Sequence, residues 1–109
     1  TRCARVTGVQ TCALPICPDA VFAVSDALAA GALRAVEQAG LRVPQDIAVV
    51  GFDGTELAEM VSPQLTTVEQ PSREIGAHAV ALLLNKIENP DARPERTMLD
   101  WRFISRASA

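Results

Sequence analysis

The 109-residue sequence predicts an α/β protein built on a mostly parallel, doubly wound sheet. Three observations lead there. Residues 47–50 form an apolar run rich in β-branched side chains that closes on Gly51, the pattern of a strand buried on both faces, as parallel strands are. Strand-like and helix-like stretches then alternate along the chain, which implies right-handed crossovers between parallel neighbours. An alanine-rich helical stretch ahead of the central strand stops at Gly40, as a helix leading into a strand commonly does.

Taken in order, residues 20–24 read as a short buried strand. Ser25 or Asp26 can cap the helix that follows. That helix is expected over 27–39, with Leu28, Ala32, Ala35, Val36 and Ala39 on its core face. A loop leads to the central strand at 47–50, which delivers Phe52 and Asp53 to its carboxyl end before Gly54 lets the chain turn. A short helix over about 55–61 is stopped by Ser62-Pro63, and residues 65–69 read as the third strand. Pro71 suits a first helical position, and Glu74 suits the positive end of the helix dipole. This third helix runs to about 88, with Ile75, Ala79, Leu82 and Leu83 as its apolar stripe, and Asn89-Pro90 ends it. Residues 90–95 form a polar linker, and 98–105 a last strand. The order is β-α-β-α-β-α-β, without internal repeats or low-complexity tracts.

Residues 1–17 stand apart. They show neither helical nor strand period, contain no acidic residue, and hold all three cysteines, Cys3, Cys12 and Cys17. An odd count in one cluster argues against a closed disulfide set and against a zinc site. Residues 6–16 resemble the in-frame translation of a sequencing-library adapter, so 1–17 is expected to be a non-native leader and 18–109 the domain proper. The start at Thr1 rather than Met reads as a piece of a longer chain. The whole carries a formal net charge of −3. Setting aside Arg2 and Arg5 leaves eight basic against thirteen acidic residues, a charge of −5. Such a balance gives no basic footprint for nucleic acid. No apolar run reaches membrane-spanning length and nothing reads as a signal peptide.

The sequence offers no enzymatic signature. It lacks a dinucleotide fingerprint, a phosphate loop and a nucleophile elbow; Gly51-Phe52-Asp53-Gly54 has no third glycine at a helix start. The single histidine, His78, falls mid-helix beside the apolar stripe and reads as a surface residue. No catalytic set, cofactor site or metal site is expected. A binding constellation fits better. Ser25 and Asp26, Asp53 with its neighbour Phe52, and Gln70 follow three successive strands at their carboxyl ends, where open α/β sheets bind ligands. Carboxylates and an amide together suit a polyhydroxylated molecule. The alternative is that Asp26, Asp53 and Gln70 are only helix caps, since each precedes a helix.

The string from Phe22 to Asp26, then Ala30-Gly31-Ala32-Leu33-Arg34-Ala35, Gly40-Leu41-Arg42-Val43-Pro44 and Val49-Val50-Gly51-Phe52-Asp53 resemble the C-terminal part of a LacI/GalR-family transcription regulator. Ser62-Pro63-Gln64-Leu65-Thr66-Thr67-Val68-Glu69-Gln70-Pro71 is the most specific stretch. The resemblance covers 18 to about 108. It implies part of a type I periplasmic-binding-protein-like fold, in which two α/β subdomains joined by three crossovers hold an effector in their cleft. By the same resemblance the helix over 71–88 belongs to the second subdomain. Asp53 matches the family's effector-binding carboxylate and Gln70 its sugar-contacting crossover residue. Ser25 stands where the family often has asparagine, and Ser72 where it sometimes has an aromatic. The resemblance further implies a cytoplasmic homodimer with a dimer contact near Ala30, Met60 and Val61. It implies a sugar or related polar small-molecule effector, no cofactor, and DNA binding only through an upstream helix-turn-helix. The alternatives are a periplasmic sugar-binding protein of the same fold and a small Rossmann-like enzyme.

Overall fold

The computed structural model describes residues 18–109, so the leader expected at 1–17 lies outside the described residues. The chain runs β1 (Ala20–Phe22), α1 (Asp26–Gln38), β2 (Ala48–Asp53), α2 (Leu57–Met60), β3 (Thr66–Glu69), α3 (Ser72–Glu88) and β4 (Arg102–Ile104). This is the expected order. The sheet order is β1-β2-β3-β4. β1 pairs with β2 in parallel, Ala20 opposite Ala48, and β2 pairs with β3 in parallel, Val50 opposite Thr66 and Asp53 opposite Glu69. The chain divides into two units, residues up to Glu69 together with Phe103–Ala109, and Gln70–Arg102.

The first unit holds the core. Val49, Leu65, Ala29 and Ala58 are fully buried, joined by Leu33, Val36, Ile47 and Ala23. α1 forms because both its ends are satisfied and one face is covered. The Ser25 hydroxyl accepts from the Leu28 amide at 3.2 Å, and at the other end the amides of Gly40 and Leu41 donate to the carbonyls of Glu37 and Val36. This pair of bonds is the Schellman closure, and it needs the positive φ of 73° that Gly40 supplies without strain. The buried face is Asp26, Ala29, Leu33 and Val36. That corrects the expected face by about one residue, roughly 100° of rotation, and leaves Leu28 60 % exposed. In an alanine-rich helix two neighbouring faces look equally apolar, and the buried bonds of Asp26 decide between them.

β2 is longer than expected and takes in Gly51, Phe52 and Asp53. Val49 and Gly51 are buried while Val50 and Phe52 are half-buried, so the strand is covered fully on one face, not both. β1 is also less buried than expected. It has β2 as its pairing neighbour, and Phe22 and Val24 are 62 % and 71 % exposed. A terminal strand of the described sheet, open on one face, leaves most of Phe22 uncovered, and Val24 follows just beyond it. α2 and β4 are shorter than expected, and Pro71 is the N-cap of α3 rather than its first residue.

Residues 106–108 bind the starting ends of β2 and β3 together. The Ser108 hydroxyl donates to the Val49 carbonyl at 2.6 Å and accepts from the Thr66 amide at 2.8 Å. The Val49 amide donates to the Ser108 carbonyl, and the Ser108 amide to Gln64. Arg106 donates to the Leu65 carbonyl and pairs with Glu59 at 2.8 Å. Ser108 therefore fills the gap between the two strands just before their ladder begins at Val50 and Thr66.

In the second unit α3 has no buried residue. Its C-terminal end is closed by Lys86, whose ammonium donates to the carbonyls of Pro90 and Ala92.

Candidate functional site

The carboxyl end of β2 is shaped by two consecutive residues in the left-handed region. Asp53 has φ 113° and Gly54 φ 74°. For glycine this is free, but for Asp53 it costs about 1–3 kcal/mol, a strain that concentrates at functional positions. Gly54 is required twice over, because a Cβ there meets the Glu69 backbone and side chain at 2.5–2.6 Å. Asp53 is half-buried and lies opposite Glu69 across the β2–β3 ladder. Its carboxylate is thus carried on the end of a paired strand.

The cap alternative for Asp53 is not what the local geometry gives. α2 starts at Leu57, and its N-cap is Glu56, three residues on, with no side-chain cap bond. Gln70 is not the cap of α3 either; Pro71 is, and the Gln70 carbonyl accepts from the Ser72 amide at 2.8 Å. Gln70 is the first residue of the second unit.

Asp26 departs furthest from expectation. The sequence suggests a place beside the ligand or at a cap, yet Ser25 is the cap and Asp26 is completely buried. Both of its carboxylate oxygens are engaged. Oδ2 accepts from the Thr55 amide at 2.7 Å and the Thr55 hydroxyl at 3.0 Å, and Oδ1 accepts from the Thr67 hydroxyl at 2.5 Å. A buried carboxylate persists only with such donors. With no exposed surface, Asp26 has nothing to offer a ligand directly. The sequence does not single out Thr55 and Thr67. Their signal is slight, two hydroxyl residues near a strand end with no pattern to link them to Asp26.

Ser25 remains half-exposed, with its oxygen accepting the cap bond. Phe52 is half-buried, its ring edge-on to Phe22 with centroids 6.3 Å apart and planes at 84°. By strand alternation it shares the more open sheet face with Val50. Of the expected dimer residues, Ala30 and Val61 are half-buried, Val61 packs against the core, and Met60 is 79 % exposed. Met60 is therefore not ordinary core. Among the described residues no cluster of three or more His, Cys, Asp or Glu side chains is placed to hold a metal, and no helix is long and apolar enough to cross a membrane.

Residues 3–109 match the periplasmic binding protein-like domain family. The chain is 44 % identical over 95 residues to the ribose operon repressor of Escherichia coli strain K12, covering 87 % of this chain and 29 % of the repressor. A LacI family transcriptional regulator from Enterococcus faecium, solved with bound ribose, superposes with a TM-score of 0.72 at 39 % identity, over 83 % of this chain and 34 % of that one. A LacI family regulator from Arthrobacter sp. FB24 in complex with lactose gives a TM-score of 0.69 at 41 % identity, again over 83 % and 34 %. The chain thus spans about a third of the length of these relatives. Motif, fold and relatives agree: the chain belongs to the LacI/GalR family of transcription regulators, within its periplasmic-binding-protein-like domain.

Proposed function

We propose that residues 18–109 are the C-terminal part of the effector-binding domain of a LacI-type regulator, and that its effector is a sugar bound through Asp53. The observation that carries this is the half-buried Asp53 carboxylate, held at φ 113° on the end of a paired parallel strand. An acceptor fixed by the sheet, rather than by a loose loop, is preorganised for a ligand. An ionised carboxylate makes the stronger, charge-assisted bonds to hydroxyls. Ribose and lactose are bound in two solved relatives, and a ribose operon repressor is another relative. Ribose is therefore the first probe. Phe52, Ser25 and Gln70 are proposed as secondary contacts, and Gln70→Ala is expected to weaken binding in its own right.

In the complete regulator the effector would shift a homodimer between two arrangements and change the spacing of its DNA-binding heads. The dimer surface is proposed to include Ala30, Val61 and the exposed Met60. The acidic balance of 18–109 supports placing the DNA contact elsewhere in the protein. Relatives named as repressors and regulators weigh against a periplasmic transport role and against an enzyme.

Calorimetric titration of the full-length natural protein with ribose and lactose tests the site. Asp53→Asn is expected to weaken binding by about one to two decades, the loss of a charged hydrogen bond, and to leave the melting temperature unchanged. Unchanged affinity in Asp53→Asn removes Asp53 from the site.

A further inference from the structure

We infer that Asp26 is a positioning residue that holds the turn carrying Asp53 in its left-handed conformation. A residue at φ 113° persists only where its surroundings over-determine it, and the surroundings of Asp53 converge on one carboxylate. Two residues before Asp53, Gly51 lies so close beneath Asp26 that a Cβ there would collide with Oδ1, and would meet Leu65 at 2.8 Å. Two residues after Asp53, Thr55 gives its amide and its hydroxyl to Oδ2, at 2.7 and 3.0 Å. From the adjacent strand, Thr67, which pairs with Gly51 in the ladder, donates to Oδ1 at 2.5 Å. Asp26 thus packs against Gly51 before Asp53 and bonds to Thr55 after it, while Asp53 itself pairs with Glu69 in the ladder.

Each partner contributes a distinct constraint. The Gly51 contact sets how near α1 comes to β2. The Thr67 bond sets β3 against the same point. The Thr55 bonds close the turn, and they are the ones whose loss loosens it while the pairing of Asp53 with Glu69 in the ladder remains. Asp26 is fully buried and both its oxygens are engaged, so it acts on a ligand only through Asp53. The effect on effector binding rests on Asp53 being the sugar ligand, as proposed, whereas the effect on the turn does not.

The test uses the full-length natural protein, the variants Asp26→Asn, Thr55→Val, Thr55→Ser and Asp53→Asn, and the first two each combined with Asp53→Asn. Amide hydrogen exchange over residues 52–56 reports the turn without any ligand. Thr55→Val removes one hydroxyl donor at nearly constant shape and is expected to raise exchange there by about tenfold, with α1 and β3 protection unchanged. Thr55→Ser keeps the hydroxyl and is expected to restore wild-type exchange. Unchanged exchange in Thr55→Val, or equal acceleration across α1, β2 and β3, overturns the inference, the second outcome because it marks a general core tie. Titration with ribose and lactose is the second readout. Asp26→Asn and Thr55→Val are each expected to weaken binding about tenfold, with no further loss when either is combined with Asp53→Asn, since both act through that residue. Additive losses also overturn it. Where Asp26→Asn does not fold, Thr55→Val carries both readouts. If Asp53→Asn alone leaves sugar affinity intact, the effector-site reading fails while the exchange result still decides the role of Asp26.

Discussion

α1 and α3 are both alanine- and leucine-bearing helices, yet they are held in different ways. α1 has 13 residues, a serine cap, a glycine closure and four buried positions. α3 is longer at 17 residues, has no side-chain cap bond, and buries none. Its apolar residues are all present: Ile75, Val80, Leu83, Leu84 and Ile87 are exposed at a spacing that would line one broad face. The contrast separates two things that a helical pattern confounds. An apolar stripe states what a helix wants to cover, whereas stability comes from what covers it, at about 1.5–3 kcal/mol for each large aliphatic side chain fully buried. Isolated helices of this length are marginal in water, so α3 draws little from its own unit.

The difference between the helices' surroundings shows most strongly in side-chain truncation. Leu65→Ala in the first unit is expected to cost about 2–5 kcal/mol, because Leu65 is fully buried and its loss leaves a cavity. Leu83→Ala in α3, at 59 % exposure, is expected to stay within about 0.5 kcal/mol. Denaturant titration of the 109-residue chain and both variants reads the pair, and equal losses would show that α3 is as well supported as the core. A smaller effect sharpens the point at the helix ends. Ser25→Ala is expected to lower stability by about 1 kcal/mol through loss of the cap. Ser72→Ala removes a weak 3.5 Å contact to the Gln70 carbonyl and is expected to leave the melt unchanged.

The smallest effect is electrostatic and belongs to the loop before β2. The Arg42 side chain donates to Asp46 at 2.9 and 3.1 Å, and its amide does so at 2.8 Å. The side-chain bond first, then the amide bond, holds the Asp46 carboxyl below the usual carboxylate range, and the pairing raises Arg42. A folded value depressed below the unfolded one contributes stability above about pH 4, where the unfolded carboxyl is already ionised, and loses it as pH falls through the lowered value. The pair is exposed, so the contribution is small and weakens in salt. A carboxyl NMR titration should find Asp46 below the usual carboxylate range, moving back up in Arg42→Gln. No movement would mean that the pairing does not set it.

Much of this is legible in the sequence. Element order follows from the alternation of short β-branched runs with alanine- and leucine-rich ones. Gly40 closes α1 where a C-terminal glycine should. What is not legible depends on contacts between distant residues. The rotation of α1 turns on Asp26 bonding to Thr55 and Thr67, 29 and 41 residues away. The exposed face of β1 cannot be foreseen from its own apolar residues, because a strand's pattern does not say whether a cover is present. Asp53 stands out by its position at the end of the central apolar run, but its left-handed φ has no sequence signal, since few non-glycine residues adopt a positive φ. Asp26 misleads for the same reason in reverse: a carboxylate at a helix start looks like a cap until its partners are known.

The Ser108 bridge sets a clock for synthesis. Val49 and Ser108 are 59 residues apart in the chain, so at about 5–20 residues per second the ribosome needs roughly 3–12 s to deliver the partner after the strand has emerged. For that interval the starting end of β2 waits with its amide and carbonyl unanswered, while all of Gln70–Arg102 is made in between. A nascent chain stalled inside that window would carry an unpaired Val49 amide and carbonyl ahead of the β2–β3 ladder, the kind of open strand end that chaperones and proteases can reach.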